Sequence, residues 1–164
     1  MQNRLIGISE KGKGMANVYQ VAEYILNKLG PITAMKLQKL VYYSQAWHLA
    51  WTEKALFMAK IEAWRDGPVV PSLYKIHKGQ FKLQAGFFKR ALKSKMEGNL
   101  NAKEKDVINR VIKYYGKRDP HWLSQLTHLE DPWKNARLRG GVENQDNSTE
   151  EITHQEIFEY YSSL

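Results

Sequence analysis

Residues 37–74 read LQKLVYYSQAWHLAWTEKALFMAKIEAWRDGPVVPSLY, and this stretch decides the fold. Its first part is an amphipathic helix. Leu37, Leu40, Val41, Ser44, Trp47, His48 and Trp51 recur at helical spacing and share one stripe. Tyr43, Ala46 and Ala50 widen that stripe, so the helix is expected to be packed on more than one side. The second part changes character. Residues 61–65 read as a short strand, and Asp66-Gly67-Pro68 reads as a turn. Pro71 reads as the first position of a short helix, with Val70 held extended before it.

The flanks add helices with local stop and start signals. Upstream, Asn17 is placed to cap a helix with Val18, Val21, Ala22, Ile25 and Leu29 on one face. Gly30-Pro31 ends it as a left-handed cap, and Thr33 caps the central helix at residues 34–51. So short a link predicts antiparallel or nearly antiparallel packing of the two. Downstream, residues 80–96 are ambiguous. Phe81, Leu83 and Ala85 alternate as in a strand, while Phe87, Phe88, Ala91 and Leu92 suit a helix. An irregular or strand-like connection is the expectation, and pairing with residues 61–65 would make a small sheet. Asn101 and Glu104 form a capping box ahead of Val107, Ile108, Val111, Ile112 and Tyr115, and Gly116 closes that helix. Asp119-Pro120 starts a helix carrying Trp122, Leu123 and Leu126; Asp131-Pro132 repeats the device and turns Trp133 and Ala136 inward, up to Gly140-Gly141. Residues 142–151 read as a polar surface loop. Thr153 and Glu156 cap a closing helix faced by Ile157, Phe158, Tyr160 and Tyr161. The expected fold is mainly α: a single-domain helical bundle around a buried central helix, with a small β element near residues 61–65. Residues 1–14 are expected to be a flexible extension and 15–164 the domain.

Composition narrows the class. An apolar share of 43% with five tryptophans in 164 residues supports a folded core. All five, Trp47, Trp51, Trp64, Trp122 and Trp133, are expected in or near it. Cysteine is absent, which removes disulfides, thiolate metal sites and cysteine nucleophiles. No segment approaches the roughly 18 apolar residues that span a bilayer, and no hydrophobic signal region opens the chain. A cytoplasmic protein with no membrane partner is expected. The net charge of +8 is unevenly placed. Residues 75–118 carry thirteen basic against three acidic residues, a local +10. Residues 140–164 carry six acidic residues and neither Lys nor Arg. The two regions could attract each other, or each an outside partner.

Candidate chemistry is sparse. Ser44 and His48 are four apart on one helix face, but a nucleophilic pair also needs an orienting acid and an oxyanion site, and no Gly-x-Ser-x-Gly turn is present. Ser44 easing helix packing and His48 donating to a buried carbonyl is the preferred reading. The histidines at 48, 77, 121, 128 and 154 make no metal-binding spacing, so neither a metal nor another cofactor is expected. The basic segment 75–118 interleaves lysines and arginines with Tyr74, Phe81, Phe87 and Phe88, a composition that suits nucleic acid. It lacks a helix-turn-helix, RRM or KH signature, so a solvated face or a dock for an acidic protein is preferred.

The motifs Leu37-Gln38-Lys39-Leu40, Gln45-Ala46-Trp47-His48, Glu62 through Pro71, Leu126-Thr127-His128 and Pro132-Trp133 together resemble the Panacea domain family, over about residues 15–161. That family includes antitoxins, SocA-type proteolytic adaptors and phage-associated GepA-like proteins. The resemblance implies a non-enzymatic protein-binding antitoxin or adaptor, with a cognate toxin as partner and a ClpXP-type protease as a further one. It also implies a structural polar contact for His128 near Trp133. A nucleic-acid-binding regulator using residues 75–118 is the alternative. The partner-binding residues expected are Trp64 and Arg65 beside the turn, and Lys82, Phe87, Phe88, Lys89 and Arg90 in a segment between the family motifs, residues 140–151 being a second such segment.

Overall fold

Helix α2 (Ala34–Thr52) is the axis of the molecule. The computed structural model describes residues 16–93, 96, 98–143 and 146–164, so the expected extension at 1–14 lies outside them. Among the described residues the order is α1 (Val18–Leu29), β1 (Ile32–Thr33), α2, β2 (Glu62–Trp64), β3 (Gly67–Val69), α3 (Pro71–His77), β4 (Lys82–Leu83), α4 (Phe87–Leu92), α5 (Ala102–Tyr115), α6 (Pro120–Leu129), α7 (Asp131–Arg139) and α8 (His154–Tyr161). The protein is mainly α, as its periodicity predicts, with two small antiparallel sheets.

Every residue of α2 from Leu37 to Ala46 is buried, because the helix packs against α5, α8, α1, α6 and β3 together. One hydrophobic cluster runs from Ala16 on the chain's entry to Tyr161 on α8. The helix starts are built by local chemistry. Asn17–Gln20, Asn101–Glu104 and Thr153–Glu156 each form a reciprocal capping box. Thr33 and Asp119 cap α2 and α6. Helix α7 departs from its expected start: Glu130 is the cap residue, and Asp131 already lies inside the helix with Pro132. Gly30 ends α1 with φ 73° but ψ −156°, outside the left-handed helical region expected of it.

The strand pairing differs from expectation in two ways. Residues 64–67 close a hairpin in which Trp64 pairs Gly67 and Ala63 pairs Pro68, so Gly67 and Pro68 belong to a strand and not to the turn. Pro68 is tolerated because its missing N–H can sit on the side away from the ladder. The segment after α3 does not pair with β2. Its strand β4 pairs β1, setting Leu83 against Ile32, and the chain then enters α4. That short helix has no side-chain cap of its own. The Glu23 carboxylate of α1 reaches across, accepting from the Gly86, Phe88 and Lys89 amides at 2.6, 3.1 and 3.1 Å. Orphan N–H groups at the start of α4 are thereby satisfied by a residue far away in sequence.

Trp51 is the other departure. The α2 stripe places it with the core, yet it is 47% exposed. Trp133 is buried, and Trp47, Trp64 and Trp122 are partly buried.

Candidate functional site

The hairpin β2–β3 is held on several sides by polar side chains, most of them from the motif residues of α2 and α7. Gln38 binds Val70 twice, accepting from its N–H at 2.9 Å and donating to its carbonyl at 3.3 Å. Its amide nitrogen also faces His77 Nε2 at 3.0 Å, which makes that nitrogen an acceptor and places the His77 proton on Nδ1. Lys39, 1% exposed, donates from Nζ to the Pro68 carbonyl at 3.1 Å. Burial pushes this amine down to about 8, an effect that Asp66 partly offsets. Gly67 makes room for it: a Cβ there, at φ 119°, would stand 2.5 Å from Lys39 Cε and 2.8 Å from Thr127 Oγ1. Gln45 repeats the Gln38 device further along α2, accepting from Leu56 N–H and donating to the Phe57 carbonyl, both at 2.6 Å.

From the other side, Trp133 Nε1 donates to the Trp64 carbonyl at 2.8 Å and Arg137 Nη1 to the Ala63 carbonyl at 2.9 Å. His128 stacks on Trp133 with ring centres 4.0 Å apart, a ring contact where the resemblance implied a polar one. Arg137 also donates to the carbonyls of Glu143 and Asp146. Ala63 N–H donates to Glu150 O at 2.9 Å, and Ile152 N–H to Ile61 O at 2.8 Å. The described part of the expected polar loop 142–151 is therefore tied to the hairpin edge. The acidic segment also pairs within its own neighbourhood: Arg139 of α7 meets Glu156 at 2.8 Å and Glu150 at 3.4 Å.

Trp64 and Arg65, the first two expected binding residues, edge a cleft of about 470 Å³ that also includes Lys39, Asp66, Tyr74 and His77. Trp64 donates to Glu62 at 2.8 Å and meets the Tyr74 ring edge-on. Arg65 is exposed and lies 3.7 Å from the Asp66 carboxylate. The pair edges a groove, with the Arg65 guanidinium beside the exposed Asp66 carboxylate.

The remaining candidates lie elsewhere, on β4 and α4. Lys82, Lys89 and Arg90 are exposed. Lys89 shares a depression of about 350 Å³ with Lys93 and Lys105, so α4 and α5 combine their positive charge there. Arg90 folds back over Gly86. Phe87 is half-buried, and Phe88 is wholly buried in the core. Phe88 thus leaves the binding set, because α4 turns its ring inward against α1. Its loss also weakens the nucleic-acid reading: of Tyr74, Phe81, Phe87 and Phe88, Phe81 alone is exposed, at 78%, whereas stacking on bases needs open ring faces.

Ser44 and His48 do not address each other. Ser44 Oγ donates to Leu40 O at 2.8 Å, and His48 Nδ1 donates to Lys54 O at 2.6 Å. Burial holds His48, His77 and His154 below the ordinary imidazole value. Among the described residues, no cluster of His, Asp or Glu has the makings of a metal site, and no helix is long and apolar enough to cross a membrane.

Sequence reasoning missed the roles of Gln38, Lys39, Arg137 and Glu23. A buried polar residue inside a helical motif was the available signal for the first two. Neither a curated protein nor a solved structure matches the chain. A family model does match, described as Antitoxin SocA-like, Panacea domain. It covers residues 37–134, from the first buried turn of α2 to the start of α7, a narrower span than the motifs suggested. With more than half of its length in that match, the chain belongs to the SocA-like antitoxin family and carries its Panacea domain.

Proposed function

We propose that the protein is an antitoxin that neutralises its toxin by direct, non-covalent binding. Family membership supports the toxin partner. One observation carries the non-enzymatic reading: the polar residues of α2 that could have offered chemistry are engaged inside the protein. Gln38, Lys39, Gln45, Ser44 and His48 all bond to backbone carbonyls or amides. The family match therefore describes a scaffold, and recognition falls to surfaces around it. The exposed cations Lys82, Lys89 and Arg90, with the edge of Phe87, form a face that draws in an acidic protein surface. Trp64 and Arg65 offer a second contact at the hairpin tip.

The test is co-expression with the product of the adjoining open reading frame. That product alone should arrest growth, and the antitoxin should restore it and co-purify with it. Restoration in a host lacking ClpXP separates direct holding from delivery to a protease. A product that is harmless, or that stays toxic beside the antitoxin, contradicts the reading.

A further inference from the structure

The last turns of α2 and the outer side of α5 enclose a groove that the functional reading has not used. Its volume is about 730 Å³. Trp51 is stacked on Trp47 with ring centres 5.2 Å apart. Tyr114, on α5, stands edge-on to Tyr115 at 4.7 Å. Leu126 and Leu164 complete the apolar wall. Trp51 is 47% exposed, Tyr114 67% and Leu164 70%. Single exposed apolar side chains are ordinary, but three converging on one concavity mark a contact surface.

The floor of the groove is rigid. Trp47 Nε1 donates to Tyr115 OH at 2.9 Å, and the Tyr115 ring stacks on Tyr43 at 4.2 Å. Glu130 lies beneath them, accepting from Tyr43 OH at 2.6 Å and Tyr161 OH at 3.0 Å. Tyr42 OH, 3.0 Å from Tyr161 OH, completes the chain. Burial pushes the Glu130 carboxyl up while the two tyrosine hydroxyls pull it back. This acid is committed inward and offers little to a visitor.

The rim has the opposite character. Arg110 stands over the Trp51 ring at 5.5 Å and is paired with Asp106 at 3.2 Å, both ends open to water. Lys113 lines the groove as well. Apart from Glu130, no acidic side chain lines the groove among the described residues. A preorganised aromatic trough with a cationic edge fits one occupant best. That occupant is an amphipathic helix with large apolar residues along one stripe and carboxylates flanking it. An extended strand is a poorer fit, because both sheets lie on other elements and the groove offers no open ladder edge.

We infer that this groove is the anchoring site for an acidic-flanked amphipathic helix of the toxin. The inference rests on the antitoxin reading and assigns it a place. Trp51 and Tyr114 insert against the apolar stripe of the helix, while Arg110 and Lys113 meet its carboxylates. Buried aromatics of this kind dominate interface energetics, and rim charges mainly set orientation and arrival rate.

The experiment compares wild type with Trp51→Ser, Tyr114→Ser, the double variant, and Phe81→Ser as an exposed aromatic outside the groove. Affinity for the co-purified toxin is read by calorimetry and rescue by growth, with thermal melts confirming that each variant folds. The double variant should bind at least about thirtyfold more weakly and lose rescue, while Phe81→Ser matches wild type. Unchanged affinity in the double variant overturns the groove and leaves the antitoxin reading standing. So does a concentration-dependent dimer of wild type that the variants dissolve without touching toxin binding. Should wild type itself bind no toxin, the antitoxin reading falls. The groove is then judged with a synthetic Leu/Phe-striped helix flanked by Glu, against its Lys-flanked isomer. Glu-selective binding that Trp51→Ser abolishes supports the site, and no binding overturns it.

Discussion

The two ends of α2 meet their neighbours in opposite ways. The N-terminal half spends polar side chains on the hairpin: Gln38 and Lys39 reach Val70 and Pro68, and their heads vanish from solvent. The last turns present aromatic ones: Trp47 and Trp51 stack there, and Trp51 remains half in water above a groove. Buried polar groups are costly unless every bond is made, so the hairpin end is committed to a single arrangement. Exposed aromatic surface gains free energy when something covers it, so the groove end is left poised for a partner. Motif residues can thus mark the scaffold of a binding protein more than its binding surface.

The comparison breaks most readily at Gln38. Gln38→Leu removes the amide that serves both backbone groups of Val70 and leaves them buried without partners. Urea unfolding should show a loss of about 3 kcal/mol. A near-neutral result would mean that the hairpin is not held from α2. The next largest effect is at Lys39. Its amine titrates near 8 when folded and near 10.5 when unfolded. Below 8 both states are charged, and the penalty of burying the charge is present in full. Between the two values the unfolded chain holds more protons, so stability rises with pH. Wild type should gain up to about 3 kcal/mol across that window relative to Lys39→Met. Parallel curves for the two proteins would place the amine in water.

A smaller effect belongs to the charged face. Reversal at both Lys89 and Arg90 should slow toxin association about tenfold at low salt and leave dissociation nearly unchanged. Stopped-flow rates at two ionic strengths read this directly; an effect confined to dissociation would make the face a packed contact. The smallest change sharpens the contrast. Trp51→Ser should cost about 1 kcal/mol of unfolding stability, well below Gln38→Leu, because half of the ring is already exposed. A large loss would return Trp51 to the core.

Much of the fold is legible because its signals are local. The caps at Asn17, Thr33, Asn101, Asp119 and Thr153 act within three residues of themselves, and the structure places all five as read. Helix α4 is only half legible: Phe87, Phe88, Ala91 and Leu92 suit a helix, but six residues are too few to decide it and Glu23 on α1 supplies its cap. The pairing of β1 with β4 rests on two residue pairs, too little for an alternation pattern. The burial of Phe88 follows from α4 and was missed with it. Trp51 misleads for a different reason: helical spacing gives its direction correctly, but the neighbours that would cover it are not there. Of the candidate binding residues, Trp64, Arg65, Lys82, Lys89 and Arg90 all reach solvent or a cleft, the first two at the hairpin and the three cations on β4 and α4.

Hydrogen exchange on the purified antitoxin–toxin complex tests the division of α2 most directly. Amides of residues 47–52 and 110–115 should slow on complex formation, while those of the hairpin strands at 62–64 and 67–69 exchange as slowly free as bound, any change there being confined to the tip at Arg65 and Asp66. Protection that appears at the hairpin and leaves the groove unchanged would contradict the account.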